Sequence, residues 1–116
     1  MSETLASAFE HSTADADAYE PFVVDGTAVG EVHWIRKEGS GGRTLLVGLW
    51  RHTPSIFPYF FGEDETIYAL EGVLEVAIEG GETVTLRPGD IYSFAQNTKS
   101  TWTVVEPFKK LFVISG

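Results

Sequence analysis

Glu65-Thr-Ile-Tyr-Ala-Leu-Glu-Gly72 is the stretch whose reading decides the fold. An acid and a glycine stand with six residues between them, and those six form a strand-like run. Downstream, Arg87-Pro-Gly89-Asp90 opens a second run that reaches Phe94. Between the two lies a hairpin signal. Leu74, Val76 and Ile78 alternate with polar residues, Val84 and Leu86 do the same, and Glu79-Gly-Gly-Glu82 joins them. Period-two alternation around a glycine pair predicts two antiparallel strands and a tight turn. The same reading extends outward in both directions. Phe22–Val24 ends at Asp25-Gly26, Glu31–Lys37 alternates, and Glu38–Gly42 is a loop. Thr44–Arg51 is a near-continuous apolar strand, broken by Thr53-Pro54-Ser55 before Ile56–Phe61. Thr66–Leu70 and Val73–Glu79 are read as two strands split at Gly72. Thr101–Glu106 and Phe108–Ile114 close the chain. The sum is an all-β domain of about nine or ten short strands, with no repeat and no long amphipathic helix.

The bulk properties set limits on partners. A chain of 116 residues, 43% of them hydrophobic, suits one domain with one core. Without cysteine there is no disulfide framework, thiolate metal site or cysteine nucleophile. The net charge is -9. Six acids (Glu3, Glu10, Asp15, Asp17, Glu20, Asp25) fall in the first 25 positions, which hold no Lys or Arg. That distribution gives an acidic, flexible arm over 1–20 and a folded domain over 21–116. It argues against nucleic acid and against anionic membrane surfaces, since no phosphate-neutralising patch is visible. No apolar run is long enough to span a bilayer, and Met1-Ser-Glu-Thr-Leu5 lacks the start of a signal peptide. The expectation is a cytoplasmic protein.

The spacing of Glu65, Gly72, Gly89 and Asp90 resembles the two motifs of the cupin superfamily. Those motifs read Gly-x5-His-x-His-x3-4-Glu-x6-Gly and Gly-x5-Pro-x-Gly-x2-His-x3-Asn. On this chain the first histidine pair falls on Tyr59 and Phe61, the glutamate on Glu65 and its glycine on Gly72. In the second motif the residues fall on Gly89, Ala95, Asn97, Ser100 and Val104. All three histidine ligands are replaced. A longer set is similar to the small cupins related to ureidoglycine aminohydrolases and to the ethanolamine-utilisation cupin. It comprises Gly48-Leu-Trp50, Thr53-Pro54, Leu70-Glu-Gly72, Pro88-Gly89-Asp90, Phe94, Thr101-Trp102 and Glu106-Pro107 with Lys110, within about residues 45–116. The resemblance implies a double-stranded β-helix of the RmlC-like jelly-roll type and a homodimer. Ureidoglycine hydrolases resemble a Glu, His, His and Gln metal set at Tyr59, Phe61, Glu65 and Ser100. None of the four matches, so that activity is not implied.

By the same resemblance, Tyr59, Phe61, Glu65 and Ser100 share the barrel mouth. Strand alternation adds Trp102, two residues from Ser100 on one face. The predicted site is an aromatic pocket with one carboxylate and one hydroxyl, which suits a small organic molecule held without a tight metal. Glu65 is the candidate acid or base. Its structural alternatives are a carboxylate bonded to Ser100, Tyr59 or backbone, and an exposed position in Gly62-Glu-Asp-Glu65. The route to a loosely bound divalent metal runs through Glu65 and His52, and the bland reading of His52 is a surface histidine. His33 reads as satisfied or half-exposed, and His11 as part of the arm. Tyr92 and Phe94 read as core. Lys109 and Lys110 read as strand-end charges, with Lys110 near Glu106 as an ion pair. The residues support two functions: ligand binding, and a metal-free or weakly metal-dependent enzyme of hydrolase or isomerase type. A filled, purely structural module is the bland third.

Overall fold

The structure is a computed structural model that describes residues 8–116. Eight strands form it: β1 (Glu20–Val24), β2 (Thr27–Arg36), β3 (Leu45–His52), β4 (Ser55–Phe61), β5 (Asp64–Ile78), β6 (Thr83–Leu86), β7 (Ile91–Phe94) and β8 (Thr98–Ser115). One 3-10 turn, Ser40–Gly42, lies in the expected loop. All pairings are antiparallel. The fold is the all-β jelly roll that the motifs imply.

Two long strands carry the architecture. The C-terminal half of β8 pairs with β3, from Phe108 opposite His52 to Ser115 opposite Leu45. Its N-terminal half pairs with β4, from Thr98 opposite Phe61 to Val104 opposite Ser55. β5 lies along both halves of β8, and adds β7 at one end and β6 at the other. Two facing sheets result, joined through β5 and β8, with β1 and β6 at the open ends of the strand order.

The strand count is lower than expected because β5 runs through Gly72 and β8 runs through Pro107. These two breakers meet each other. Gly72 takes φ +78°, and a Cβ there would collide with the Pro107 carbonyl. The β5–β8 register slips between Ala69 and Leu74, which absorbs the proline without ending the strand. The slip also moves the buried face of β5 from Glu65, Ile67 and Ala69 to Leu74 and Val76. The Glu79–Glu82 connection is a four-residue loop, not a two-residue one. Ala77 opposite Thr83 is the last ladder pair, and Ile78 N–H donates to the Glu82 carbonyl. Asn97 stands where the second motif has glycine and adopts φ +69°, a left-handed conformation that asparagine tolerates better than most residues.

The core gathers between the two sheets. Val32, Trp50, Phe61, Ile67, Ala69, Leu74, Val76, Leu86, Phe94, Trp102, Val104, Phe108 and Phe112 are all buried there. Tyr92 packs at its margin. The first seven positions of the expected arm lie outside the described residues. Its remainder follows the barrel and is tied to it by side chains. His33 Nδ1–H donates to the Ala18 carbonyl (2.8 Å). Nε2 of the same ring then accepts from Ser12 Oγ (2.7 Å). Lys109 donates to the Ala14 carbonyl, and the Arg51 guanidinium lies 3.8 Å over the Tyr19 ring.

Candidate functional site

The barrel interior holds a buried cluster of a carboxyl, a lysine and a phenol. Glu65 sits on the inward face of β5 beside Ile67, and only 2% of it is exposed. Tyr59 reaches it from β4 and donates its hydroxyl to Glu65 Oε1 at 2.6 Å. Lys110 reaches it from β8 and donates Nζ–H to Oε2 at 2.6 Å. Lys110 is itself 3% exposed. Each carboxylate oxygen therefore has a strong, short partner.

Aromatic faces close over the ammonium. Lys110 Nζ lies 4.5 Å from the Trp102 ring centroid, 5.1 Å from Trp50 and 5.2 Å from Phe112. Cation–π attraction replaces part of the hydration lost on burial. Desolvation nevertheless drives the Lys110 pKa below the usual lysine range, and the Glu65 charge and hydrogen bond restore only part of it. Tyr59 moves the other way. Burial raises its pKa well above the usual phenol value, and the neighbouring Glu65 charge raises it further. Tyr59 is therefore a neutral donor, and burial makes the Lys110 proton easier to remove than that of an exposed lysine.

A cavity of about 40 Å³ lies against this cluster. Tyr59, Glu65, Lys110, Trp50 and Trp102 line it, and Phe22 of β1 reaches its rim. The volume is room for roughly three waters or a ligand of similar bulk. The Trp102 Nε1–H is buried with no hydrogen-bond partner among the described residues. Burying a donor without an acceptor is costly.

Of the residues that the sequence singled out, Tyr59, Glu65 and Trp102 meet at this cavity. Phe61 and Ser100 adjoin it without lining it. Phe61 stacks on Phe94 at 4.7 Å and lies edge-on to Tyr59. Ser100 Oγ–H donates to the Tyr59 carbonyl at 2.7 Å, which fixes the β4–β8 pairing at that point. Glu65 is buried, not exposed in the acidic loop.

Lys110 is the functional residue that the sequence reading missed. It is neither a surface charge nor a partner of Glu106; its partner is Glu65. The signal was present in the sequence. Phe108, Lys110 and Phe112 alternate on one strand, and their spacing puts the lysine on the buried face. Lys109, one residue earlier, faces outward toward Glu71.

The donor set does not fit a metal ion. Both Glu65 oxygens are engaged, one by an ammonium that would repel a divalent cation. His52 does not join Glu65. Its ring packs edge-on to Trp50 and tilted against Phe57, and it borders an outer groove with Asp15 and Asp17. Burial lowers its pKa. Among the described residues no three of His, Cys, Asp and Glu come together as a metal site.

Comparison with known proteins agrees with the fold. Residues 39–112 match the model of the EutQ-like cupin domain. The chain belongs to the EutQ-like cupin family. The EutQ protein of Clostridium difficile is 19% identical with a TM-score of 0.66, covering 78% of this chain and 71% of that one. A putative ethanolamine utilization protein Q from Salmonella typhimurium gives 19% identity and a TM-score of 0.65, over 84% of this cupin and 94% of its own chain. A DUF861 family protein from Thermotoga maritima reaches 32% identity with a TM-score of 0.55, over 57% and 75% of the two chains. No curated protein matches.

Proposed function

We propose that this cupin binds a small, uncharged organic molecule at the Tyr59–Glu65–Lys110 cluster, without a tightly held metal. One observation carries the reading: an aromatic cavity walled by the buried Glu65–Lys110 pair and the Tyr59 hydroxyl that bonds to it. Lys110 already balances the Glu65 charge, so a cationic ligand has no vacant counter-ion. Apolar burial supplies affinity and the polar cluster fixes orientation. The family resemblance adds a homodimer to the proposal.

An NMR titration of full-length protein with neutral alcohols, amides and carbonyl compounds of two or three carbons tests it. Saturable shifts of the Trp50 and Trp102 indole signals are expected. Glu65→Gln and Trp102→Phe should each weaken binding about tenfold, with folding checked by circular dichroism. Flat titrations across the panel would sink the reading.

A second reading, catalysis by proton transfer, is favoured by the 2.6 Å contacts on both Glu65 oxygens. A proton passes readily along a Tyr–Glu–Lys chain of that kind. That reading includes the hydrolase- or isomerase-like enzyme.

A further inference from the structure

We propose that Lys110 is a nucleophilic amine that condenses with a small aldehyde or ketone in the cavity to form a protonated imine. The inference rests on the binding reading above and names the class of ligand.

Three features converge on it. The first is the amine itself, buried among rings with a carboxylate at 2.6 Å that can take its proton. Desolvation of this kind makes a lysine nucleophilic near neutral pH. The second is Tyr59 at the same cavity, a hydroxyl bonded to Glu65 at 2.6 Å that can hand a proton to a carbonyl oxygen. The third is size. A cavity of about 40 Å³ admits a carbonyl compound of about three or four non-hydrogen atoms and excludes sugars and cofactors. A carboxylate-bearing ligand is disfavoured, because Glu65 stands at the same wall.

The chemistry balances within the cluster. Lys110 gives one proton to Glu65 and becomes a free amine. Its lone pair forms the C–N bond as the carbonyl π pair moves to oxygen. Tyr59 protonates that oxygen and is itself reprotonated by Glu65, which gives a carbinolamine. The nitrogen of the carbinolamine, now an ammonium, returns one proton to Glu65. Glu65 passes that proton through Tyr59 to the hydroxyl, which leaves as water, and the nitrogen lone pair forms the C=N bond. Net, a carbonyl compound and a lysine ammonium give an iminium and water. No external oxidant or reductant enters.

Reductive trapping tests the step. Full-length protein is incubated at neutral pH with acetaldehyde and cyanoborohydride, then read by intact mass and peptide mapping. The expected result is one ethyl group, on Lys110, at least tenfold faster than on Lys37, Lys99 or Lys109. Tyr59→Phe should slow that label by about tenfold while the surface lysines react as before. Excess 1-propanol, of similar size but without a carbonyl, should slow only Lys110.

Label spread evenly over the four lysines, or none at Lys110, would overturn the proposal. The parallel 1-propanol titration separates the two failures. Propanol binding without a Lys110 label removes the imine and leaves the binding site standing. If neither propanol nor acetaldehyde engages the cavity, both readings fall.

Discussion

At the scale of single residues, Tyr59 gives a pH signature that can be isolated. Its folded-state pKa is raised above the ordinary value of 10.0, first by burial and then by Glu65. A raised folded pKa means the unfolded chain releases its proton first. The stabilisation from neutral Tyr59 is therefore complete below pH 10 and lost as pH climbs beyond it. Lys110 has the opposite sign. Its depressed pKa favours the folded state increasingly as pH rises toward the ordinary lysine value of 10.5. Comparing wild type with Tyr59→Phe cancels the lysine contribution, which both proteins share. At pH 7 the variant should be less stable by about 2 kcal/mol, the loss of a hydrogen bond to a charged acceptor. Between roughly pH 10 and 11 the gap should close at up to about 1.4 kcal/mol per pH unit. Urea unfolding midpoints at several pH values give the measurement; a gap that stays constant would remove Tyr59 from the buried cluster. Glu65 and Tyr59 were legible from motif spacing alone. Lys110 was not, because a charge next to Lys109 near a proline reads as a strand end. The alternation of Phe108, Lys110 and Phe112 carried the signal, but a buried lysine is rare and its partner Glu65 lies on another strand.

At the scale of elements, the continuity of β5 and β8 determines which side chains meet. Gly72 and Pro107 were each read as a break, since both weaken a strand when taken alone. Opposed in one ladder, they form a local irregularity that both strands pass through. The consequence reaches the site. Just past the irregularity, Lys110 stands opposite Ala69, four residues along β5 from Glu65, and opposite Trp50 on β3. Gly72→Ala tests this coupling. The positive φ alone costs about 1–3 kcal/mol for a residue with a Cβ, and contact with the Pro107 carbonyl adds to it. Chemical denaturation should show that loss. The shift of the Lys110 side-chain NMR signals should move with it, although residue 72 lies outside the cavity lining. Unchanged Lys110 signals would mean that the irregularity does not set the site's register. The hairpin at Glu79–Glu82 and the β1–β2 turn at Asp25-Gly26 were visible beforehand, because their turn chemistry is local.

At the scale of the whole molecule, the barrel and its acidic arm have different reasons for their places. The barrel is held by a core drawn from seven of its eight strands and from none of the described arm residues. The described arm is held by a few polar tethers instead: His33 on Ala18 and Ser12, and Lys109 on Ala14. Composition suggested an arm over 1–20, since the first 25 positions hold six acids and no base. It did not show the tethers, which join residues up to 95 positions apart. Removing residues 1–18 should therefore leave a folded barrel that begins at β1. The cost should be about 1–3 kcal/mol, two or three exposed or half-buried hydrogen bonds at their usual net worth. Far-UV circular dichroism should keep its β signature, and the urea midpoint should fall by that amount. The Trp50 and Trp102 indole shifts should stay in place, because none of the described arm residues lines their cavity. A truncated chain that fails to fold would move the boundary of the domain into the arm. A truncated chain with displaced indole signals would make the arm part of the cavity's wall.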